Sequence, residues 1–414
     1  MRKVLVQVSS SLNCGAPGRI VEQIGLLAQS RGWDCYVAHG LKYSNPSRLK
    51  TIPVETSFGE KLHTVKSLLL DNHGLNSISA TKKLIDDLRK IKPAIVHLHN
   101  LHGYFLNYKV LFDYLKEINI PIVWTLHDCW AFTGHCAHFD FIGCDKWKYG
   151  CENCPAKKSY PRSFLLSQSS RNYQIKKESF TGVEQNITLV PVSNWIESFL
   201  NNSFLKNCNI HTIYNGVDIN LFTPSSVAVK RKLVENLQLQ GKFVVMGCAA
   251  PWHDKKGYTD FYKLRSSLPK NIAVVMVGLS PKQKVQADKA GIIGVMRTES
   301  QSELASYYSM ADVFINPTYE DNFPTTNLEA LACGTPVITY QTGGSPEAID
   351  DNTGLVVPRG NLSVLKEAIN TIHLRGKLNY TMACRERAVR MYNKQERFEE
   401  YIRIYEQLFN TKSF

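Results

Sequence analysis

No apolar run in this sequence approaches the roughly 20 residues needed to cross a bilayer, and no low-complexity tract interrupts it. A membrane-spanning, fibrous or disordered protein is therefore not expected. The start, MRKVLVQVSSS, has two basic residues but only a short apolar run and no small-residue cleavage pattern. It reads as a first strand and not as a signal peptide, and a cytoplasmic protein is expected. Charge is only mildly one-sided: 49 Lys and Arg stand against 36 Asp and Glu, a formal +13. Residues 1–205 carry 24 of those bases and 16 of the acids, so the excess leans to the first half. Its densest patches, Lys157-Lys158…Arg162 and Arg171…Lys176-Lys177, lack the spacing of a helix-turn-helix or zinc finger. No nucleic-acid partner is expected. An anionic membrane surface, a phosphorylated small substrate or a merely solvated basic surface remain open.

What the sequence does have is alternation. Its 414 residues are enough for two or three domains, and 43% of them are hydrophobic. Short β-rich runs recur: KVLVQV (3–8), AIVHLH (94–99), PIVWTLH (121–127) and ITLVPV (187–192), then FVVMGC (243–248), IAVVMVG (272–278), DVFINP (312–317), PVITY (336–340) and GLVVP (354–358). They predict buried parallel strands. After the first of them Ile20, Val21, Ile24, Leu27 and Ala28 repeat at helical spacing, closed by Gly32. Strand–helix–strand repetition predicts doubly wound α/β sheets with right-handed crossovers. The pattern appears twice, and the Asn-rich stretch 193–224 separates the copies. The expected division is 1–205, 206–390 and a helical segment 391–414 packing back toward the first domain. Two such sheets facing each other would leave a cleft at the carboxyl ends of their strands, where ligands bind.

Two loops invite a ligand. SSSLNCGAPGR (9–19) runs from strand to helix with Gly15 and Gly18. It is neither GxGxxG nor a Walker loop, and it fits an anion-approaching turn or an ordinary tight one. The second loop lies in YEDNFPTTNLEALACGTPVITYQTGGSPE (319–347). Residues 318–324 deliver backbone N–H groups to a helix N-terminus, where phosphate is favoured. Thr326-x-x-Glu329 fits a capping box, which accounts for Glu329 but not for Asp321 or Gly343-Gly344. Glu329 could instead accept the vicinal hydroxyls of a ribose. Phosphate on the amides and ribose on the carboxylate together describe a nucleoside diphosphate.

The run D-N-F-P-T-T-N-L-E-A-L-A-C-G-T-P-V-I, followed by T-G-G-S-P-E, resembles the E-x7-E signature of retaining glycosyltransferases of family 4, which have the GT-B fold. Lys256-Gly257, IYNGVDINLFTP (213–224) and the glycines at 15–18 match as well. HLHNLHGYFLN (97–107) and TLHDCWAFTGHC (125–136) are similar to the subgroup that builds bacterial exopolysaccharide, capsule or lipopolysaccharide. The resemblance implies that Glu329 holds the donor ribose and Asp321 the hydroxyls of the transferred sugar. Lys256 would neutralise the leaving diphosphate, aided by the backbone of Phe323, Pro324, Thr325 and Thr326. His127 would sit beside the sugar ring. Gly15 and Gly18, with His99, would approach the phosphates or the acceptor, and Arg297 is a further donor-side candidate. His97 reads as a buried structural group. Two departures stand out. Asp321 replaces the usual Glu, with Glu320 beside it. Lys255 in GCAAPWHDKKG (247–257) stands where an arginine is normal, and a lysine lacks the bidentate fork.

The implied partners are a nucleotide diphosphate sugar and a glycan or lipid-linked oligosaccharide acceptor, with contact at the anionic inner membrane face. The implied chemistry is front-face displacement through an oxocarbenium-like transition state, with no catalytic metal. A catalytically inactive nucleotide-sugar or glycan-binding protein and a nucleotide-sugar epimerase of the same fold are the alternatives.

Five of eleven cysteines fall within 129–154. Cys136, Cys144, Cys151 and Cys154 supply the thiols of a structural zinc site, with a CxxC turn placing two ligands. Two disulfides or unligated thiols are the competing readings, and Cys129 is left outside.

Overall fold

The computed structural model describes residues 2–411. The chain divides into two compact units, Met1–Ile213 with Phe398–Phe414, and Tyr214–Arg397. The passage between them at 213–214 lies inside the Asn-rich stretch, eight residues beyond the expected 205.

The first unit holds strands β1 (Val4–Leu12), β2 (Asp34–Ser44), β3 (Lys50–Pro53), β4 (Ile95–Leu98), β5 (Ile122–Leu126), β6 (Ile187–Pro191) and β7 (Asn209–Ile210). They form one sheet in the order β3-β2-β1-β4-β5-β6-β7, and every pairing is parallel. All of β4, β5 and β6 is buried, which is why these strands read as continuous Val/Ile/Leu runs. The helix Gly15–Ser30 buries Ile20, Val21, Ile24 and Ala28. It stops at Arg31, and Gly32, with φ +86°, turns the chain into β2.

The last helix, Lys394–Thr411, completes this unit's core. Phe398, Tyr401, Ile402 and Tyr405 pack with Leu5, Val21, Ile24 and Trp33. Trp33 Nε1 donates to Glu406 at 2.9 Å, and Lys3 Nζ pairs with the same carboxylate at 2.7 Å. Each fully buried aromatic contributes about 2–3 kcal/mol of transfer free energy, so this helix is an integral part of the unit.

The second unit holds β8 (Phe243–Cys248), β9 (Ile272–Val277), β10 (Ile293–Val295), β11 (Val313–Asn316), β12 (Val337–Tyr340) and β13 (Gly354–Val357). Their order is β10-β9-β8-β11-β12-β13, again all parallel. Between β11 and β12 the helix Thr325–Ala332 buries Leu328 and Leu331.

In each sheet the winding reverses at one point, between β1 and β4 in the first and between β8 and β11 in the second. Loops leaving neighbouring strands there diverge and open a crevice, the usual ligand position of such sheets. The candidate loops 13–18 and 318–324 both leave strands at these reversals.

Candidate active site

Two loops of the second unit supply the charged groups. One leaves β8 and reaches the helix Tyr258–Ser267; the other leaves β11 and reaches the helix Thr325–Ala332. Gly257 lets them touch. Its φ is +74°, and a Cβ there would lie 2.4 Å from the Pro317 carbonyl oxygen. The Tyr319 N–H then donates to the Lys255 carbonyl at 2.8 Å, and the Thr318 hydroxyl donates to it at 3.1 Å. With the backbones clamped, the side chains pair. Lys255 Nζ lies 2.6 Å from Glu320 Oε2, and Lys256 Nζ lies 2.5 Å from Asp321 Oδ2.

A third loop braces the acids from behind. A Cβ at Gly343, whose φ is +56°, would lie 1.7 Å from the Asp321 carbonyl oxygen. The Gly344 N–H donates to the Asn322 carbonyl at 3.1 Å. Close backbone approach is what this Gly-Gly pair provides.

Phe323 and Pro324 are buried. Phe323 stacks on Tyr214 with centroids 4.8 Å apart, and its carbonyl accepts from Asn215 Nδ2 at 3.1 Å. This residue offers backbone, not a side chain. Thr325 and Thr326 are half-buried in the first helical turn. The Asn327 N–H donates to the Pro324 carbonyl at 3.2 Å, while the Thr325 and Thr326 amides at the very start of the helix have no carbonyl before them in the helix to bond and favour an anion.

Glu329 corrects one expectation. The helix N-cap is Pro324, with no side-chain capping bond. Thr326 is already helical, so the capping box does not form. Glu329 instead accepts from Tyr308 Oη at 2.9 Å. Tyr308 is fully buried on the helix Gln301–Met310, and burial raises its hydroxyl far above the usual tyrosine range. No motif marks Tyr308 in the sequence. Arg297 stands apart on the loop after β10, its side chain 82% exposed and 4.0 Å from Glu299. Among the described residues no hydrogen bond or ion pair joins it to the lysine–acid group.

The first unit gathers histidines where β4 and β5 end. His99 Nδ1 lies 3.2 Å from His127 Nε2, and His99 Nε2 lies 3.1 Å from Gln7 Oε1 on β1. Burial lowers His127 to about 4, against the pull of Asp128, so its imidazole is neutral at neutral pH. Burial also holds His99 well below its usual range. His97 is enclosed, bonded to Thr125 Oγ1 at 2.8 Å and Tyr405 Oη at 2.6 Å, a structural arrangement. A pair that sequence reasoning missed lies beside these. His102 Nε2 stands 2.7 Å from Asp128 Oδ2, with Tyr160 Oη 3.0 Å from its other ring nitrogen. Burial works to raise the Asp128 carboxyl, but the His102 imidazole and the Trp130 N–H outweigh it and hold it at about 2. The signal was an Asp directly after His127 and a third histidine in HLHNLH.

Gly15 opens the helix Gly15–Ser30 with φ +62° and open space where a Cβ would point. Gly18 is packed more tightly, its Cβ position 3.2 Å from the Leu12 nitrogen.

Cys136, Cys144, Cys151 and Cys154 surround one small cavity beside Phe139 and Trp147. All are free thiols. A hydrogen bond shared with Cys136 draws the Cys154 thiol down to about 6 and pushes Cys136 up. Four thiols match the donor set of a closed zinc site. Among the described residues, however, no group of three or more His, Cys, Asp or Glu side chains is placed to hold a metal ion.

Known proteins share this organisation. Residues 18–221 match the family model Glycosyltransferase Family 4, and residues 229–391 match Glycosyl transferases group 1. A protein of Escherichia coli (strain K12), named for glycosyl transfer in colanic acid biosynthesis (WcaC), is 26% identical over 77% of this chain and 78% of its own length. The N,N'-diacetylbacillosaminyl-diphospho-undecaprenol alpha-1,3-N-acetylgalactosaminyltransferase of Campylobacter jejuni is 26% identical over 51% of this chain and 58% of its own. The crystal structure of Anabaena Alr3699/HepE in complex with UDP superposes with a TM-score of 0.67 at 14% identity, covering 98% of this chain and all of that one. That likeness carries the fold. The chain is thus a glycosyltransferase family 4 domain followed by a group 1 glycosyl transferase domain, on two parallel-sheet units of the GT-B type.

Proposed function

We propose that the chain is a retaining glycosyltransferase that moves a sugar from a nucleoside diphosphate to a growing glycan held on a lipid diphosphate, in polysaccharide synthesis. One observation carries the reading: Lys256 and Asp321 are paired beside the open N-terminus of the helix 325–332, and Glu329 lies further along that helix. The relatives support its finer parts. One is named for colanic acid biosynthesis, another acts on an undecaprenol diphosphate sugar, and the Anabaena structure holds UDP.

Each residue then has a task. Glu329, oriented by Tyr308, accepts the ribose hydroxyls. Lys256 and the amides of Thr325 and Thr326 take the diphosphate, and Asp321, exchanging its lysine for the sugar, accepts sugar hydroxyls. The bond from the anomeric carbon to the diphosphate oxygen breaks. The acceptor hydroxyl bonds to the same face of that carbon, and its proton passes to the departing phosphate. Charge accumulates on the diphosphate, where Lys256 and the helix terminus are already placed, so stabilisation needs little reorganisation. His127 is assigned to the sugar, and Gly15, Gly18 and His99 to the phosphates or acceptor, on the family resemblance. The cysteine loop is assigned a structural zinc on its donor set.

A thermal-shift panel of UDP, GDP, ADP and CMP on wild type and Glu329→Ala tests the donor site. Ligand at a hundredfold its Kd adds about 2.7 kcal/mol of stability, so one diphosphate should raise Tm and lose that effect in the variant. No shift with any nucleotide overturns the reading. Donor turnover that needs no acceptor would point to an epimerase, and nucleotide binding without turnover to an inactive binding protein.

A further inference from the structure

One amide interrupts the apolar run of β1. Gln7 is fully buried between Val6 and Val8, where an amide without partners would be costly. Gly25 on the helix Gly15–Ser30 makes room for it: a Cβ there would lie 2.7 Å from Gln7 Nε2. Both ends of the amide are used. Its Nε2 donates to the Val21 carbonyl at 2.9 Å, and its Oε1 lies 3.1 Å from His99 Nε2. The His99 backbone is fixed beside it, the N–H donating to the Val8 carbonyl at 2.9 Å and the carbonyl accepting from Trp124 Nε1 at 3.0 Å.

These contacts decide where protons sit. A backbone carbonyl only accepts, so Val21 fixes the NH2 end of the amide toward the helix. The end turned to His99 is therefore the oxygen, and His99 Nε2 must carry a hydrogen. Burial keeps the His99 ring neutral, and a neutral imidazole has a single N–H. His99 Nδ1 is thus left with its lone pair. Its neighbour at 3.2 Å is His127 Nε2, which has to supply the hydrogen of that bond. The two ring planes are 16° apart with centroids at 5.5 Å, so the nitrogens meet edge to edge. His127 is itself neutral at neutral pH. Its one proton is on Nε2, and its Nδ1 is an acceptor. Whatever meets Nδ1 must bring a hydrogen: an N–H or a hydroxyl, never an unprotonated phosphate oxygen.

We propose that Gln7 is a positioning residue that sets, through His99, the Nε2–H tautomer of His127. It acts across two rings and not by contact with a substrate. The tautomer itself stands apart from the donor reading. Only its consequence, that a hydroxyl of the transferred sugar is what His127 accepts from, rests on the proposed function. His97 provides an internal control, because its ring is closed by Thr125 and Tyr405 and not by Gln7.

The test is nitrogen NMR of the full chain, isotope-labelled at histidine and free of nucleotide. Spectra of His97→Gln, His99→Gln and His127→Gln assign the resonances. Wild type should show His99 and His127 each protonated on Nε2 and bare on Nδ1. Gln7→Met keeps the bulk of the side chain and removes the acceptor. The Nδ1–H to Nε2–H ratio of His127 should then rise about fivefold or more, the equivalent of one lost hydrogen bond, while His97 keeps its tautomer. A His127 protonated on Nδ1 in wild type overturns the proposal, and that measurement needs no variant if Gln7→Met fails to fold. An unchanged His127 tautomer in folded Gln7→Met overturns it as well. Measuring the nucleotide thermal shift on the same preparation separates the two readings: the stated tautomers without nucleotide binding sink only the donor site.

Discussion

Lys256 Nζ stands 2.5 Å from Asp321 Oδ2, and one residue back Lys255 Nζ stands 2.6 Å from Glu320 Oε2. Two adjacent cations on one loop match two adjacent acids on the next, at the point where the sheet reverses its winding. The pairs are only part-buried, so the attraction is modest and exchangeable. A diphosphate can take the lysine while a sugar takes the acid.

Lys256→Ala should lower kcat by about a hundred- to a thousandfold, the usual cost of removing one preorganised charge stabiliser. The Kd for the nucleoside diphosphate should change less than kcat, because ribose and helix contacts remain. Turnover at the wild-type rate removes Lys256 from the mechanism.

Tyr308→Phe deletes the hydroxyl that orients Glu329 at 2.9 Å. A single hydrogen bond contributes about 1 kcal/mol, which corresponds to about a fivefold weaker diphosphate Kd. Because Tyr308 acts through Glu329, kcat at saturating donor should hold. A fall in kcat with unchanged Kd contradicts that role.

Gly343→Ala and Gly15→Ala both place a side chain at positive φ, but their surroundings differ. At Gly343 the Cβ would meet the Asp321 carbonyl at 1.7 Å, whereas at Gly15 it meets nothing within 4 Å. Urea unfolding should show Gly15→Ala costing about 1 kcal/mol of strain alone. Gly343→Ala should cost more and shift the acid loop, taking activity with it. Equal costs would mean the loops can part freely.

Acid should destabilise the first unit well above the carboxylate range. Burial holds His127 at about 4 and His63 at about 3, both below the ordinary 6.5. Between those values the unfolded chain binds more protons, so stability is present above pH 6.5 and is lost as pH falls toward 4. Each tenfold loss of proton affinity on folding is worth about 1.4 kcal/mol. Tm measured from pH 7.5 downward should drop steeply below 6.5; a flat profile to pH 5 would show these imidazoles reach water.

The proposed structural zinc, which requires the four thiols to draw together around the ion, predicts about one zinc per chain by metal analysis, lost together with Tm in Cys151→Ser/Cys154→Ser. A metal-free, fully folded protein with four titratable thiols in this loop would leave the cysteines as a reduced cluster without a metal.

Much of the architecture was legible because parallel strands buried on both faces must be apolar throughout. All nine runs read as strands are strands. Those missed were β2, which carries polar residues along an otherwise buried stretch, the short β3 and β7 near one sheet's edges, and the three-residue β10. The lysines and acids were legible as a motif, since 255–256 and 320–321 follow strand-like runs. Tyr308 and the His102–Asp128 pair were not. Their partners are 21 and 26 residues distant, and no local spacing encodes such a contact.

Local chemistry alone determined the alternating elements, the helix that begins after Pro324 and the basic, acid-free stretch around 153–177. Tertiary structure decided what those residues face. It turned Glu329 from a capping residue into the acceptor of Tyr308. It also made Gly343 a point of backbone contact and left the apolar side of the helix 57–70 in solvent. Periodicity reports that a helix has two faces; only packing against the rest of the chain decides which is covered.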